Sequence, residues 1–247
     1  INKIGPLIQE PKGALHQSLN TLEDNEDWLV PPLIKGKLVK PCIKWGVEPL
    51  SFMHKTELFG PILAVIKSKD LAEAIHIANS TGYGLTAGIE TLSEKEKTQW
   101  KKNISAGNLY INKPTTGAIV NRQPFGGFKK SKFGNGYKAG GNQYILSFID
   151  IKNKVKTSPL DMVLNEFRYI HKEVNKKLYE PVILKGERNY VHYIPVGTIL
   201  FIIDENVKAD DVIISVLAAF LCKNKVIIAT TSTKRSKIER KLDKQQI

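Results

Sequence analysis

The chain has 247 residues, 42% of them hydrophobic and 25% charged, with a formal net charge of +13 and two cysteines. That is an ordinary globular composition, long enough for one large or two small domains with a buried core, and two cysteines exclude a disulfide framework or a metal-ligand spacing. The longest apolar run, Val212 to Cys222, is far short of the roughly 20 residues a membrane helix needs, which excludes such a span. The basic excess is spread along the chain, 19 Lys/Arg against 13 Asp/Glu in residues 1–150 and 18 against 11 in residues 151–247. No basic cluster is interleaved with aromatics, so a nucleic-acid partner is not expected.

In chain order, Pro11 is placed to open a helix as its first residue. Ala14, Leu15, Ser18, Leu19 and Leu22 line one face of it at helical spacing. Residues 23–27, Glu-Asp-Asn-Glu-Asp, read as a solvated turn, and Trp28 to Val39 as extended segments broken by Pro31-Pro32 and Gly36. Cys42 has no nearby feature that would lower its pKa and reads as structural. Residues 47–56 are expected to form a strand entering Glu57. Ile62 to Lys67 is a compact apolar run, read as a buried strand. Asp70 is suited to cap a helix burying Leu71, Ala74, Ile75 and Ala78, ended by Gly82. Leu85 to Thr91 reads as a strand, and Ser93 with Glu96 as a capping box for a helix to Ile104. Asn108 to Asn112 carries Leu109, Tyr110 and Ile111 and reads as a short buried strand. The β-α-β-α-β order predicts parallel strands joined by crossover helices.

Pro114 stops that last strand, having no backbone N–H to give. Thr115-Thr116-Gly117-Ala118 is a loop with two hydroxyls and a glycine that can bring backbone close to a ligand. Successive N–H groups in such a turn suit a carboxylate or phosphate. Pro124-Phe125-Gly126-Gly127 ends the loop; composition alone favours an ordinary hairpin-like surface loop. Tyr144 to Asp150 reads as a strand whose free edge could pair with another subunit. Ser158 and Pro159 are expected to open a long helix striped by Leu160, Val163, Leu164, Phe167, Ile170, Val174 and Leu178. Thr198–Ile203 and Val226–Ala229 read as strands flanking a helix that starts at Asp210-Asp211. The charged run Lys234 to Lys244 reads as helix surface.

Three stretches together resemble the aldehyde dehydrogenase superfamily, and within it the L-glutamate γ-semialdehyde (1-pyrroline-5-carboxylate) dehydrogenases of proline utilisation. They are Thr56-Glu57-Leu58-Phe59-Gly60-Pro61, then Gly107 to Asn112 with Thr116-Gly117-Ala118, then Gln123-Pro124-Phe125-Gly126-Gly127. The resemblance covers residues 1 to about 149. It implies an α/β fold, with a parallel sheet and flanking helices as the C-terminal part of a catalytic domain. It implies NAD as cofactor, with Glu57 on the nicotinamide ribose and Phe59 on the nicotinamide. It implies glutamate semialdehyde as substrate, its carboxylate held by Thr116, Gly117 and Ala118 and its methylenes against Phe125. Members that act on simple aldehydes generally lack the Thr-Gly-Ala loop. The family's nucleophilic cysteine, general-base glutamate and nucleotide domain lie upstream of its Gly5-Pro6 segment. No catalytic residue and no metal site are therefore assigned here. Ser131 and Gly134 fit the family's tail, while Lys132 stands where a glycine is often found.

A weaker resemblance covers residues 187–232. Ile194 to Thr230 looks like the opening of a second nucleotide domain of the same family. Asn206 falls at the family's oxyanion asparagine, but Ala229 replaces a nucleotide-contacting lysine and no G-x-G-x-x-G is present. In some long proline-utilisation proteins such a degenerate domain is noncatalytic and structural. The organisation expected is therefore 1–149 as catalytic-domain part with an oligomerisation tail, 150–186 as linker and long helix, and 187–247 as an incomplete degenerate domain. The chain opens on Ile1 in sequence that already reads as mid-domain, so it is expected to be a portion of a longer, homo-oligomeric, cytoplasmic polypeptide. Two functions follow: part of an NAD-dependent semialdehyde dehydrogenase, inactive alone, or a noncatalytic assembly module.

Overall fold

The computed structural model describes residues 5–150, 160–174, 180–204, 206–231, 235–236 and 238–240. The chain divides into two compact units, Ile1–Phe148 and Ile149–Ile247. Both are mixed α/β; the first contains parallel and antiparallel strand pairs, and the second a parallel pair.

The first unit opens with α1, Gly13–Asn20, which starts two residues after Pro11 rather than on it. Its buried face of Leu15, Ser18 and Leu19 packs against Val39 and Cys42. Strands β1 (Asp27–Val30), β2 (Ile34–Lys35), β3 (Leu38–Val39) and β4 (Cys42–Trp45) follow. A β2–β3 hairpin turns at Gly36, whose φ of +56° is a glycine conformation. β4 lies between β1, antiparallel to it, and β5 (Ile62–Val65), parallel to it.

The run 23–27 is not all solvated. Glu26 and Lys44 are both buried and form an ion pair of 2.9 Å, with side chains 1% and 2% exposed. The same carboxylate accepts the Glu23 N–H at 3.0 Å, while the Lys44 ammonium also donates to the Thr21 carbonyl and lies over the Trp28 ring. This arrangement fastens the turn between α1 and β1 to the middle strand of the sheet.

The strand expected at 47–56 is instead a bend and a short helix, α2, Phe52–Lys55. Pro49 cannot donate to a ladder, and Ser51 caps the helix by accepting the His54 N–H. Helix α3 (Leu71–Asn79) is capped by Asp70, which accepts the Glu73 N–H at 2.8 Å. Helix α4 (Glu94–Asn103) is capped by Ser93, and the Thr91 hydroxyl donates to the Glu96 carboxylate. Strands β6 (Thr86–Ile89) and β7 (Asn108–Ile111) pair in parallel, as their α4 crossover requires. The three strands β5, β6 and β7 do not share one sheet among the described residues: β5 pairs with β4, and β6 with β7. The strand expected at Tyr144 to Asp150 is replaced by a 3-10 stretch, Asn142–Phe148. There Tyr144 and Phe148 meet edge-on at 5.4 Å, a contact that helical spacing permits and strand alternation does not.

The second unit contains α5 (Leu160–Val174), β8 (Thr198–Ile202), α6 (Ala209–Leu221) and β9 (Lys225–Ala229). Leu164 of α5 packs on Ile213 and Leu217 of α6. β8 and β9 pair in parallel from Thr198↔Lys225 to Ile202↔Ala229, which is the β-α-β unit read from the sequence. Val212 and Val216 cover Phe201, Val226 and Ile228 with Ile238. Ser158, Pro159, Leu178 and most of the charged run 234–244 lie outside the described residues. Among the described residues no helix is long and apolar enough to cross a membrane.

Removing one partner of a buried ion pair strands the other charge. Lys44→Met is expected to cost about 3–5 kcal/mol in urea unfolding of the chain, and adding Glu26→Leu should return a large part of it. A loss under about 1 kcal/mol for Lys44→Met would mean that the pair does not hold the sheet.

Candidate functional site

The loop following β7 is held at both ends by side chains of that strand. Asn112, at φ +53°, ends the strand and exchanges two hydrogen bonds with the Thr91 backbone, at 2.8 and 2.9 Å. Tyr110 is buried, and its hydroxyl donates to the Gly117 carbonyl at 2.9 Å. Burial raises the Tyr110 phenol above its ordinary pKa, which keeps it a donor. Gly117 sits at φ +119°, a backbone position that a side chain strains. Thr116, Gly117 and Ala118 are all exposed.

The loop then folds into a small hairpin, with Ile119 bridged to Gln123 and Asn121 at φ +60° bonded through its N–H to the Gly140 carbonyl. Phe125 is half-buried and exchanges two backbone hydrogen bonds with Ala139, each 2.9 Å. At the far end Asn108 takes over. Its amide donates to the Pro124 carbonyl at 3.0 Å, and its oxygen accepts the Gly126 N–H at 3.2 Å. Gly107 and Gly127 are required by contact, not by turn type alone, whereas a Cβ on Gly126 would come no nearer than 3.1 Å to Lys138. A Cβ on Gly107 would lie 1.9 Å from the Gly126 oxygen, and one on Gly127 would lie 2.5 Å from the Ser131 oxygen.

Asn108 and Tyr110 lie within the Gly107 to Asn112 motif but are assigned no contact there, and Lys138 lies outside every motif. The Lys138 ammonium donates to the Gly107 carbonyl, the Asn108 oxygen and the Gly126 carbonyl at 2.6, 3.0 and 2.8 Å. Burial pulls it down to about 8. The only cue to it in sequence is a lysine set between Tyr137 and the small run Ala139-Gly140-Gly141.

Glu57 and Phe59 lie elsewhere. The segment 56–59 is not a strand, and Phe59 has φ +47°. Even so, both side chains face outward, Phe59 being 84% exposed, while Leu58 between them packs on the α1 core. Glu57 lines a cavity of about 530 Å³ with His54, Tyr83, Ser105 and Lys130; Phe59, Thr116, Gly117, Ala118 and Phe125 do not line it. Gly84, on the same cavity wall, accepts the Gly107 and Phe128 N–H groups at 2.9 and 2.8 Å, so the cavity abuts the glycine motif. The structure thus groups Thr116–Ala118 with Phe125 on one loop and sets Glu57 beside a separate hollow.

Cys42 is buried in β4, and its thiol points at the Pro61 carbonyl, 3.7 Å away. Desolvation raises its pKa, with Lys44 opposing more weakly. Among the described residues no group of three or more His, Cys, Asp or Glu could hold a metal ion.

A family model described as "Aldehyde dehydrogenase family" matches residues 2–154. The curated "1-pyrroline-5-carboxylate dehydrogenase 2" of Bacillus subtilis is 42% identical over 118 residues, 48% of this chain and 22% of its own. The protein of the same name from Halalkalibacterium halodurans is 41% identical over 118 residues, with the same two shares. The chain therefore spans about a fifth of the length of these relatives. Among solved structures, Proline Utilization A from Corynebacterium freiburgense aligns with a TM-score of 0.79 at 35% identity, over 92% of this chain and 25% of that one. Likeness over that share must reach past residue 154. The 1-pyrroline-5-carboxylate dehydrogenase from Thermus with bound NAD gives 0.51 at 34% identity, over 56% of this chain and 27% of that one.

The two thiols should separate cleanly. Cys222 is exposed and Cys42 is buried with a raised pKa. A thiol reagent at pH 8 is expected to label one cysteine rapidly in the native chain, and Cys222→Ser should abolish the fast phase. Rapid labelling of that variant would return Cys42 to candidacy as a nucleophile.

Proposed function

The chain belongs to the aldehyde dehydrogenase family, and on that premise we propose that it supplies the substrate end and one edge of the cofactor site of an NAD-dependent L-glutamate γ-semialdehyde dehydrogenase. The observation that carries this reading is the 116–118 loop. It is exposed, built on a glycine backbone at φ +119°, and pinned from behind by the Tyr110 hydroxyl on the Gly117 carbonyl. A loop so fixed presents the Thr116 hydroxyl and backbone without having to order itself when substrate arrives. Those groups suit the α-carboxylate of an amino-acid semialdehyde, and Phe125 offers an apolar wall to its methylenes. Hydrogen bonds to a charged group are worth roughly 1.5–3 kcal/mol each, enough to orient a small substrate.

Glu57 and Phe59 fit the nicotinamide end. An outward carboxylate can accept both hydroxyls of a ribose diol, and an outward ring offers a flat face to the nicotinamide. NAD, when bound, would accept the hydride released on aldehyde oxidation. The residues of this chain bind and orient; none is assigned as nucleophile or base, and Cys42 is unsuited to either role. The complete reaction, oxidation of the semialdehyde to glutamate, is proposed for a longer, cytoplasmic, homo-oligomeric polypeptide that contains this chain.

The second unit favours a second role beside the first. Its β-α-β fold is whole, yet it has Ala229 at the position of a nucleotide-contacting lysine and no glycine fingerprint. Those two departures support reading residues 187–247 as a degenerate, noncatalytic domain that serves assembly, and the structural likeness that reaches beyond residue 154 bears on its fold alone.

Gly117→Val in the full-length protein tests the substrate reading. It should lower kcat/KM for glutamate semialdehyde by on the order of 10²-fold, the scale of a misplaced substrate, and leave propanal oxidation nearly unchanged. Equal losses for both aldehydes would make the loop a structural element only.

A further inference from the structure

Three oxygens converge beneath the glycine motif: the Gly107 and Gly126 carbonyls and the Asn108 side-chain oxygen, all within 3.0 Å of the Lys138 ammonium. The ammonium has three N–H donors, which is the number of acceptors it meets. Without a cation the three oxygens would face one another across a partly buried space, at a cost in desolvation and repulsion. The acceptors come from two separated segments. Gly107 and Asn108 lead into β7, whereas Gly126 follows Phe125. All of the substrate loop runs between them. Ala139, beside Lys138, holds both backbone hydrogen bonds of Phe125.

We propose that Lys138 is a positioning residue for the substrate loop: its ammonium fastens the Phe125-Gly126 turn to the start of β7 and so sets where the Phe125 ring stands. This rests on the reading of Thr116–Ala118 and Phe125 as the substrate end. Lys138 touches no substrate in this account. It acts through backbone carbonyls, and its effect reaches substrate only through Phe125. Tyr110 holds the loop where the carboxylate would bind, and Lys138 holds it where the methylenes would lie. The two ends are thereby fixed to one strand by two different side chains.

The experiment pairs hydrogen exchange with kinetics. In the 247-residue chain, Lys138→Met is expected to speed exchange of amides in 121–128 and 137–141 at least about tenfold, the scale of one lost charged hydrogen bond, and to leave α3 and β6 unchanged. Lys138→Gln, which keeps two donors, should give an intermediate rate and serves if the Met variant loosens the whole unit. In the full-length protein, Lys138→Met should raise KM for glutamate semialdehyde about tenfold, with kcat within about threefold and KM for propanal little changed. Unchanged exchange at Phe125, Gly126 and Ala139 in both variants would overturn the clamp. Faster exchange with unaltered KM for the semialdehyde would overturn the positioning role. If the unsubstituted full-length protein does not oxidise the semialdehyde, the substrate reading fails, and exchange alone decides whether Lys138 clamps the turn.

Discussion

Two backbone segments approach at Gly107 and Gly126 more closely than any side chain allows, a Cβ on Gly107 falling 1.9 Å from the Gly126 oxygen. Much of the first unit's functional face depends on that approach. It aligns carbonyl oxygens in one direction, which calls for a cation, and Lys138 supplies it. It brings the end of the loop back to the strand from which the loop departed, so Asn108 can bond to both Pro124 and Gly126. The loop is thereby closed on β7 rather than left as a free excursion, and its ordering cost is met in folding rather than in binding.

Beneath this face the scaffold is fastened by a different kind of interaction. The Glu26–Lys44 pair lies in the interior, where breaking it is far costlier than its net contribution to stability. Its placement is specific: Lys44 is on the strand between β1 and β5, and Glu26 is in the turn leading out of α1. That sheet carries Leu58 on its core, and Leu58 lies between Glu57 and Phe59. The pair therefore supports the segment read as the cofactor edge, at one remove.

Local sequence grammar was a good guide wherever a short-range interaction decides the outcome. The Asp70 and Ser93 caps and the strands β5 to β9 follow from neighbours within four residues, whereas β7 ends at Asn112, at φ +53°, before Pro114 is reached. It failed where the deciding partner is distant. Glu26 looks solvated in an acidic run until Lys44, far along the chain, is placed against it. Residues 47–56 have strand-like composition, but Pro49 and the Ser51 cap turn them into a bend and a helix. Tyr144 to Asp150 alternates well enough for a strand, yet the Tyr144–Phe148 contact needs helical spacing. Which edge β5 pairs with cannot be read from crossover order, because β4, Cys42–Trp45, is not among the strands read from the sequence. The site divides in the same way. Its motifs stand out by their wording, but what Tyr110 and Asn108 do within one of them, and Lys138 outside them all, is identified only by what they touch.

On the proposed reading this chain has recognition without chemistry: a glycine-based loop for an anionic substrate end, a carboxylate beside a hollow, an outward ring two residues on, and a cysteine that burial keeps protonated. The central claim of that reading is that the 116–118 loop receives the substrate carboxylate. The most direct measurement is a crystal structure of the full-length protein with glutamate, the proposed product. The account predicts the α-carboxylate within hydrogen-bond distance of the Thr116 hydroxyl and the loop backbone at 117–118, with the side-chain methylenes along Phe125. Glutamate bound elsewhere, with that loop unoccupied, would contradict it.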